Sequence, residues 1–178
     1  DGDISKSIKT TGTVNANKPG VYTIIYSVKD KSGNAAVSVV RTVTVVDAVS
    51  PVITLKGEQT VTINVGETYE DAGATARDNV DGNITKSIAI IGVVDPSKPA
   101  VYTLIYTVKD NSGNAAAIVA RTVRVLDAVA PVLTLKGEQS VTINAGENYK
   151  DVEASARDNV DGDISKSIKT TGTVNANK

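Results

Sequence analysis

Asp47-Ala-Val-Ser-Pro51 recurs as Asp127-Ala-Val-Ala-Pro131, 80 residues further on. At the same spacing Leu55-Lys-Gly-Glu-Gln59 returns as Leu135-Lys-Gly-Glu-Gln139, and Val21-Tyr-Thr-Ile-Ile-Tyr26 as Val101-Tyr-Thr-Leu-Ile-Tyr106. Arg41-Thr-Val43 likewise returns as Arg121-Thr-Val123, and residues 1–18 are identical to residues 161–178, at twice the period. A fixed period of this size marks a tandem array of one copied supersecondary unit. It divides the chain into the back part of one repeat (1–46), a complete repeat (47–126) and the front part of another (127–178). Neither end portion is expected to be a finished domain. Each is expected to be completed by neighbouring repeats of the same array, or by identical subunits joined head to tail.

Inside a repeat the pattern is that of strands. Val61, Ile63 and Val65 alternate with Thr62 and Asn64, and Tyr102, Leu104, Tyr106 and Val108 alternate in the same way. Period two is the signature of a half-buried strand. Thr, Val, Ile and Tyr fill these runs, as pleated packing favours. Turn residues separate them, at Asp81-Gly82, Asp95-Pro-Ser-Lys-Pro99 and Asn111-Ser-Gly-Asn114. The expected layout is a first strand in two pieces (52–56 and 61–65), a second over 73–78 and a third over 84–92. A hairpin pairing 101–109 with 115–126 closes it, and further short strands are expected within 93–100. No stretch carries a helical period. The reading is all-β, with immunoglobulin-like β-sandwich repeats in a linear array.

Composition narrows the function. Net charge is −1 with 22% charged residues, which provides no field to attract nucleic acid or anionic lipid. The longest apolar runs, such as Ala115 to Ala120, are far too short to cross a bilayer. Cys and His are both absent, which removes disulfides, thiolate chemistry, the commonest general base and the commonest transition-metal ligand. Absence of Cys is common in cell-wall proteins of single-membrane bacteria and is compatible with other compartments too, and with no Met in the sequence Asp1 is expected to be an internal residue of something longer.

The motifs Pro51-Val-Ile-Thr-Leu55, Val65-Gly-Glu-Thr-Tyr69, Asp71-Ala-Gly-Ala-Thr-Ala-Arg-Asp-Asn-Val-Asp-Gly82 and Tyr106-Thr-Val-Lys-Asp110, with Ser112-Gly-Asn114, occur here in order. In them the chain resembles a bacterial immunoglobulin-like family that occurs in tandem on cell-wall surface proteins and in an insecticidal crystal toxin. The resemblance implies a sandwich without catalysis, an extracellular address at the cell surface or cell wall, and a role in spacing or presenting something else. It departs at Val152-Glu153, where the complete repeat has Ala72-Gly73, and an altered turn is expected there.

The acidic loops are the constellation with possible chemistry. Asp78-Asn-Val-Asp81 and Lys109-Asp110 are expected to fall at the pole where the chain enters, beside Asp47. Hard oxygen ligands from three segments can hold Ca²⁺ and stiffen the joint between domains. Asp127, Asp158 and Asp161 repeat the pattern, as does Asp30 in the leading portion. The competing reading is plain turn chemistry, since Asp and Asn cap their own backbone. Paired carboxylates without a cleft or base do not make an enzyme. The functional reading is a structural or spacer repeat of a surface protein or extracellular fibre, with an adhesion module for a glycan or host protein as the alternative. An adhesion surface of that kind needs exposed aromatics, which are scarce at 3%. Tyr102 and Tyr106 are expected in the core, with Tyr102 tying down a corner.

Overall fold

The computed structural model describes residues 2–174. Among these, single 3₁₀ turns at Ser5–Ser7, Thr85–Ser87 and Ser165–Ser167 interrupt an otherwise all-β chain. The strands are β1 (Lys9–Thr11), β2 (Gly20–Ser27), β3 (Val39–Val45), β4 (Val52–Leu55), β5 (Thr60–Asn64), β6 (Ala74–Asp78) and β7 (Gly82–Asn83). They continue as β8 (Ala89–Ile91), β9 (Ala100–Thr107), β10 (Val119–Leu126), β11 (Val132–Leu135), β12 (Ala154–Asp158) and β13 (Gly162–Asp163). Their sheets are ordered β1-β2-β3, β4-β6-β7, β5-β10-β9-β8 and β11-β12-β13. The period is thus visible in the sheets. β1-β2-β3 occupies the positions of β8-β9-β10 one period earlier, and β11-β12-β13 those of β4-β6-β7 one period later. This is the immunoglobulin-like β-sandwich plan.

Two compact units are present. One holds the residues up to Glu58 together with Ala72–Ile91 and Ile105–Ala120. Its buried apolar residues are Ile53 of β4, Ala74 and Ala76 of β6, Tyr106 of β9, and Val108 just beyond it. The other holds Gln59–Asp71, Gly92–Leu104 and the residues from Arg121 on, with Leu104, Val123, Val125 and Ala156 buried. The alternation read from the sequence is what selects these residues. Tyr106 and Val123 are fully covered, while Val61, Ile63, Val65 and Tyr102 are half-buried. Tyr102 donates its hydroxyl to the carbonyl of Lys98 at 3.1 Å, and Tyr22 does the same to Lys18 at 2.8 Å, the expected corner tie.

The first strand breaks where expected. β4 pairs antiparallel with β6, whereas β5 joins another sheet and runs parallel to β10. The expected third strand over 84–92 is shorter than its apolar content implied. Asn83 accepts from the Thr85 N–H at 3.0 Å, and the Thr85 hydroxyl oxygen accepts from the Ala76 N–H at 3.0 Å. These local bonds curl 85–87 into a 3₁₀ turn and leave only Ala89–Ile91 as strand. Residues 93–99 form no strand. Nor do 140–144, the counterpart of β5. Residues 60–64 are held as a strand by β10.

The Val152-Glu153 departure does not alter its turn. Gly73 has φ +73 and Glu153 φ +70, and the following sheet bonds match, Lys56 N–H to the Gly73 carbonyl at 2.9 Å and Lys136 N–H to that of Glu153 at 3.0 Å. Glu153 therefore carries left-handed strain that glycine escapes. Replacing it, Glu153→Gly, should stabilise the local turn by roughly 1 kcal/mol. Hydrogen exchange at the Lys136 amide would slow about fivefold. Unchanged exchange would show that the turn is not strained.

Candidate metal centre

Three of the sequence-selected aspartates meet. Oxygen atoms of Asp47, Asp78 and Asp110 lie within 4.8 Å of one another. Asp47 stands in the link after β3, Asp78 ends β6, and Asp110 opens the loop between β9 and β10. Each is held by its own turn. The Asp78 Oδ1 accepts from the N–H groups of Val80 at 2.8 Å and Asp81 at 2.9 Å. These amides, Asp81 first, hold the Asp78 carboxyl below the usual carboxylate range, so it is charged at neutral pH. The Asp47 Oδ1 accepts from Val49 N–H at 3.2 Å.

The second oxygens behave differently. Oδ2 of Asp47 and Oδ2 of Asp78 are both buried with no hydrogen-bond donor. A buried carboxylate oxygen without a donor is costly, and two of them beside a third carboxylate add mutual repulsion. A hard cation resolves both problems. Oxygen ligands from three flexible segments suit Ca²⁺, which accepts six to eight oxygens, better than Mg²⁺, which demands a strict octahedron.

The group does not include the other sequence-selected residues. Asp81 turns its carboxylate to Asn111, accepting from the backbone N–H and from Nδ2 at 2.7 Å each, which ties the two acidic loops together. Asp127 and Asp158 repeat the turn bonds of their counterparts, from Val129 at 3.2 Å and from Val160 and Asp161 at 2.8 and 3.0 Å. The Asp161 N–H serves Asp158 as that of Asp81 serves Asp78. In the leading portion Asp30 accepts from the backbone and side chain of Asn34, and these bonds lower its pKa.

Two features escaped the sequence. Asn114 reads as a turn residue, yet its Nδ2 donates to Asp110 at 2.7 Å and to the carbonyl of Asp47 at 3.2 Å, bracing the link against the loop. Arg121 reads as an ordinary strand cation, yet it is 1% exposed and ion-paired with Asp71, which also accepts from the Tyr69 hydroxyl at 3.2 Å. Its signal was parity, since Arg121 shares the inward face with Val123 and Val125.

A sandwich with corner tyrosines, a 80-residue period and acidic joint loops defines a modular immunoglobulin-like protein of the tandem kind. The chain belongs to the bacterial surface protein Ig-like domain family, whose model matches residues 1–45, 53–125 and 133–178. Over 117 residues it is 38% identical to an uncharacterized 81.3 kDa protein of Acholeplasma phage L2, covering 62% of this chain. Over 123 residues it is 32% identical to the pesticidal crystal protein Cry22Aa of Bacillus thuringiensis, covering 65% of this chain. The match spans 16% of the length of each of these relatives. Among solved structures, the lipoprotein BT2262 of Bacteroides thetaiotaomicron is similar at 30% identity with a TM-score of 0.41, over 45% of this chain and 39% of that one. Among the described residues no helix is long and apolar enough to cross a membrane.

Proposed function

We propose that this chain is a structural spacer from a tandem array on a bacterial surface, and that Asp47, Asp78 and Asp110 bind a calcium ion that stiffens the joint ahead of the complete repeat. The array divides as 1–46, 47–126 and 127–178. Support for that division comes from paired positions one period apart. Ile53 is 7% exposed in the complete repeat and its counterpart Leu133 is 67% exposed, as expected where the covering half of a sandwich belongs to neighbouring sequence. The surface address rests on the family. A glycan-binding role would need an aromatic platform, and of the six tyrosines only Tyr149 is exposed.

The observation that carries the calcium reading is the pair of buried, donorless oxygens on Asp47 and Asp78. Bound there, the ion would neutralise the clustered carboxylates and cross-link the link segment to both loops. Extracellular modules bind calcium with dissociation constants of about 10⁻⁴ to 10⁻³ M, so about 10 mM calcium should stabilise the fold by roughly 1.4 to 2.7 kcal/mol. Thermal melts in calcium and in chelator should therefore separate. In Asp47→Asn/Asp78→Asn they should coincide, while Asp81→Asn should keep most of the separation, because that carboxylate serves Asn111. Coincident melts for the unmodified chain would refute the site.

A further inference from the structure

The strand β8 lies at the edge of its sheet, bonded on one side to β9 and open on the other. Open edges invite pairing with another chain, and proteins usually protect them with charged residues, lysine above all. The chain contains its own comparison. β1, the counterpart of β8, reads Lys9-Thr10-Thr11, and residues 169–171 repeat Lys-Thr-Thr, but β8 reads Ala89-Ile90-Ile91. The protecting lysine is lost and two threonines become isoleucines. Ile90 is 50% and Ile91 58% exposed.

Registry shows what these residues present. Ile90 stands opposite Tyr106, and Ala89 and Ile91 stand opposite Thr107 and Ile105. Tyr106 faces the core, so Ile90 borders the inner face, while Ala89 and Ile91 lie on the outer face with Ile105. Suppose a second β8 adds antiparallel, centred on Ile90. Ile90 then meets its own copy, and on the outer face each Ile91 meets the small Ala89 of the other chain, large against small at both positions. The charges agree with this register. Between residues 4 and 18 the only charged residues are Lys6, Lys9 and Lys18, an edge that repels itself. Between 84 and 98 the central lysine is gone, and Asp95, which stands where the leading portion has Asn15, is ion-paired with Lys98 at 3.2 Å, so the stretch carries Lys86 and one neutralised pair in place of three lysines. Antiparallel pairing about Ile90 brings the end carrying Lys86 alongside the Asp95–Lys98 pair, twice, and sets no lysine of the strand itself against another.

We propose that β8 is a lateral docking edge whose partner is the β8 edge of a second copy of this chain, joined through Ala89, Ile90 and Ile91. A three-residue ladder is a weak contact taken singly. Where two arrays lie side by side the same contact repeats, and the later ones form at high effective concentration. The Lys9-Thr10-Thr11 edge of β1 keeps its lysine and stays apart, so association is confined to β8.

The lack of cysteine in the chain makes a clean test possible. A disulfide requires Cβ atoms about 3.5–4.5 Å apart, so Ile90→Cys should form a cross-linked dimer under mild oxidation only if β8 meets β8 near Ile90. Two comparisons control for chance collision: Thr10→Cys, the same position on β1, and Val37→Cys, which is 93% exposed. On a non-reducing gel Ile90→Cys should give several times the dimer of either, and adding Ile91→Lys should remove the excess. A second measurement needs no cysteine. Sedimentation of the full chain should show concentration-dependent association that falls when β8 is given the β1 sequence (Ala89→Lys, Ile90→Thr, Ile91→Thr), residues that fold as the same strand in β1. Equal dimer yields from Ile90→Cys and Thr10→Cys, or association unchanged by the triple replacement, would overturn the proposal.

Discussion

Removal of the Asp71 carboxylate by Asp71→Ala should destabilise the complete repeat by about 3–5 kcal/mol, because it takes the carboxylate of the ion pair away from a buried guanidinium. Arg121 is the largest fully buried side chain, and Asp71 is its ion-pair partner. The expected total stability of an 80-residue domain without disulfides is only on the order of 5 kcal/mol, so this loss approaches complete unfolding. The argument also fixes the sign of a second substitution. Arg121→Met placed on top of Asp71→Ala removes the buried charge and fills the site with apolar volume, so the double variant should be more stable than Asp71→Ala alone. Urea denaturation of the four members of this cycle reads both results. A double variant no better than Asp71→Ala would mean that the ion pair does not set the cost. The leading portion shows the same arginine under different conditions, since Arg41 is exposed and its guanidinium lies 5.8 Å from the centre of the Tyr26 ring.

Gly92→Ala should cost about 3 kcal/mol, or roughly 12–24 °C in melting temperature. Gly92 follows β8 at φ +110, and a methyl group on its Cα would run into the carbonyl oxygen of Thr103 on the neighbouring strand. Strain and overlap add here. Gly113 separates the two effects, because it has φ +93 with open space around it. Gly113→Ala should cost about 1–2 kcal/mol from strain alone. Calorimetry of the two variants tests the difference, and equal shifts would show that the close approach to Thr103 is relieved at little cost. Gly12 meets the Thr23 carbonyl in the same way, so the tight approach belongs to the repeat plan.

Much of the fold is legible in particular residues. Leu104, Tyr106 and Val123 follow from alternation alone, because a strand with one covered face has no other way to sort its side chains. The span 84–92 was misjudged because Ile84 and Ile88 look like strand residues, whereas Thr85 and Asn83 settle the local conformation by bonding to backbone. The cluster of Asp47, Asp78 and Asp110 was readable because loop positions follow from strand order. Which carboxylates converge was not, since Asp78 and Asp81 sit in one loop and only a bond to Asn111 sends Asp81 elsewhere. Arg121 was hidden for a related reason. A charged residue on an inward position makes sense only once Asp71, fifty residues earlier, is known to lie beside it.

The parallel pairing of β5 with β10 has a mechanical consequence. Tension that reaches this ladder through the chain on either side pulls β5 from its Thr60 end and β10 from its Leu126 end. The registered pairs run from Thr60↔Thr122 to Asn64↔Leu126, so these are opposite ends of one ladder. The force therefore acts in shear, loading every rung of the ladder together, whereas an antiparallel terminal pair would open like a zip, one rung after another. Stretching the chain between Thr60 and Leu126 therefore has to break the five registered pairs together.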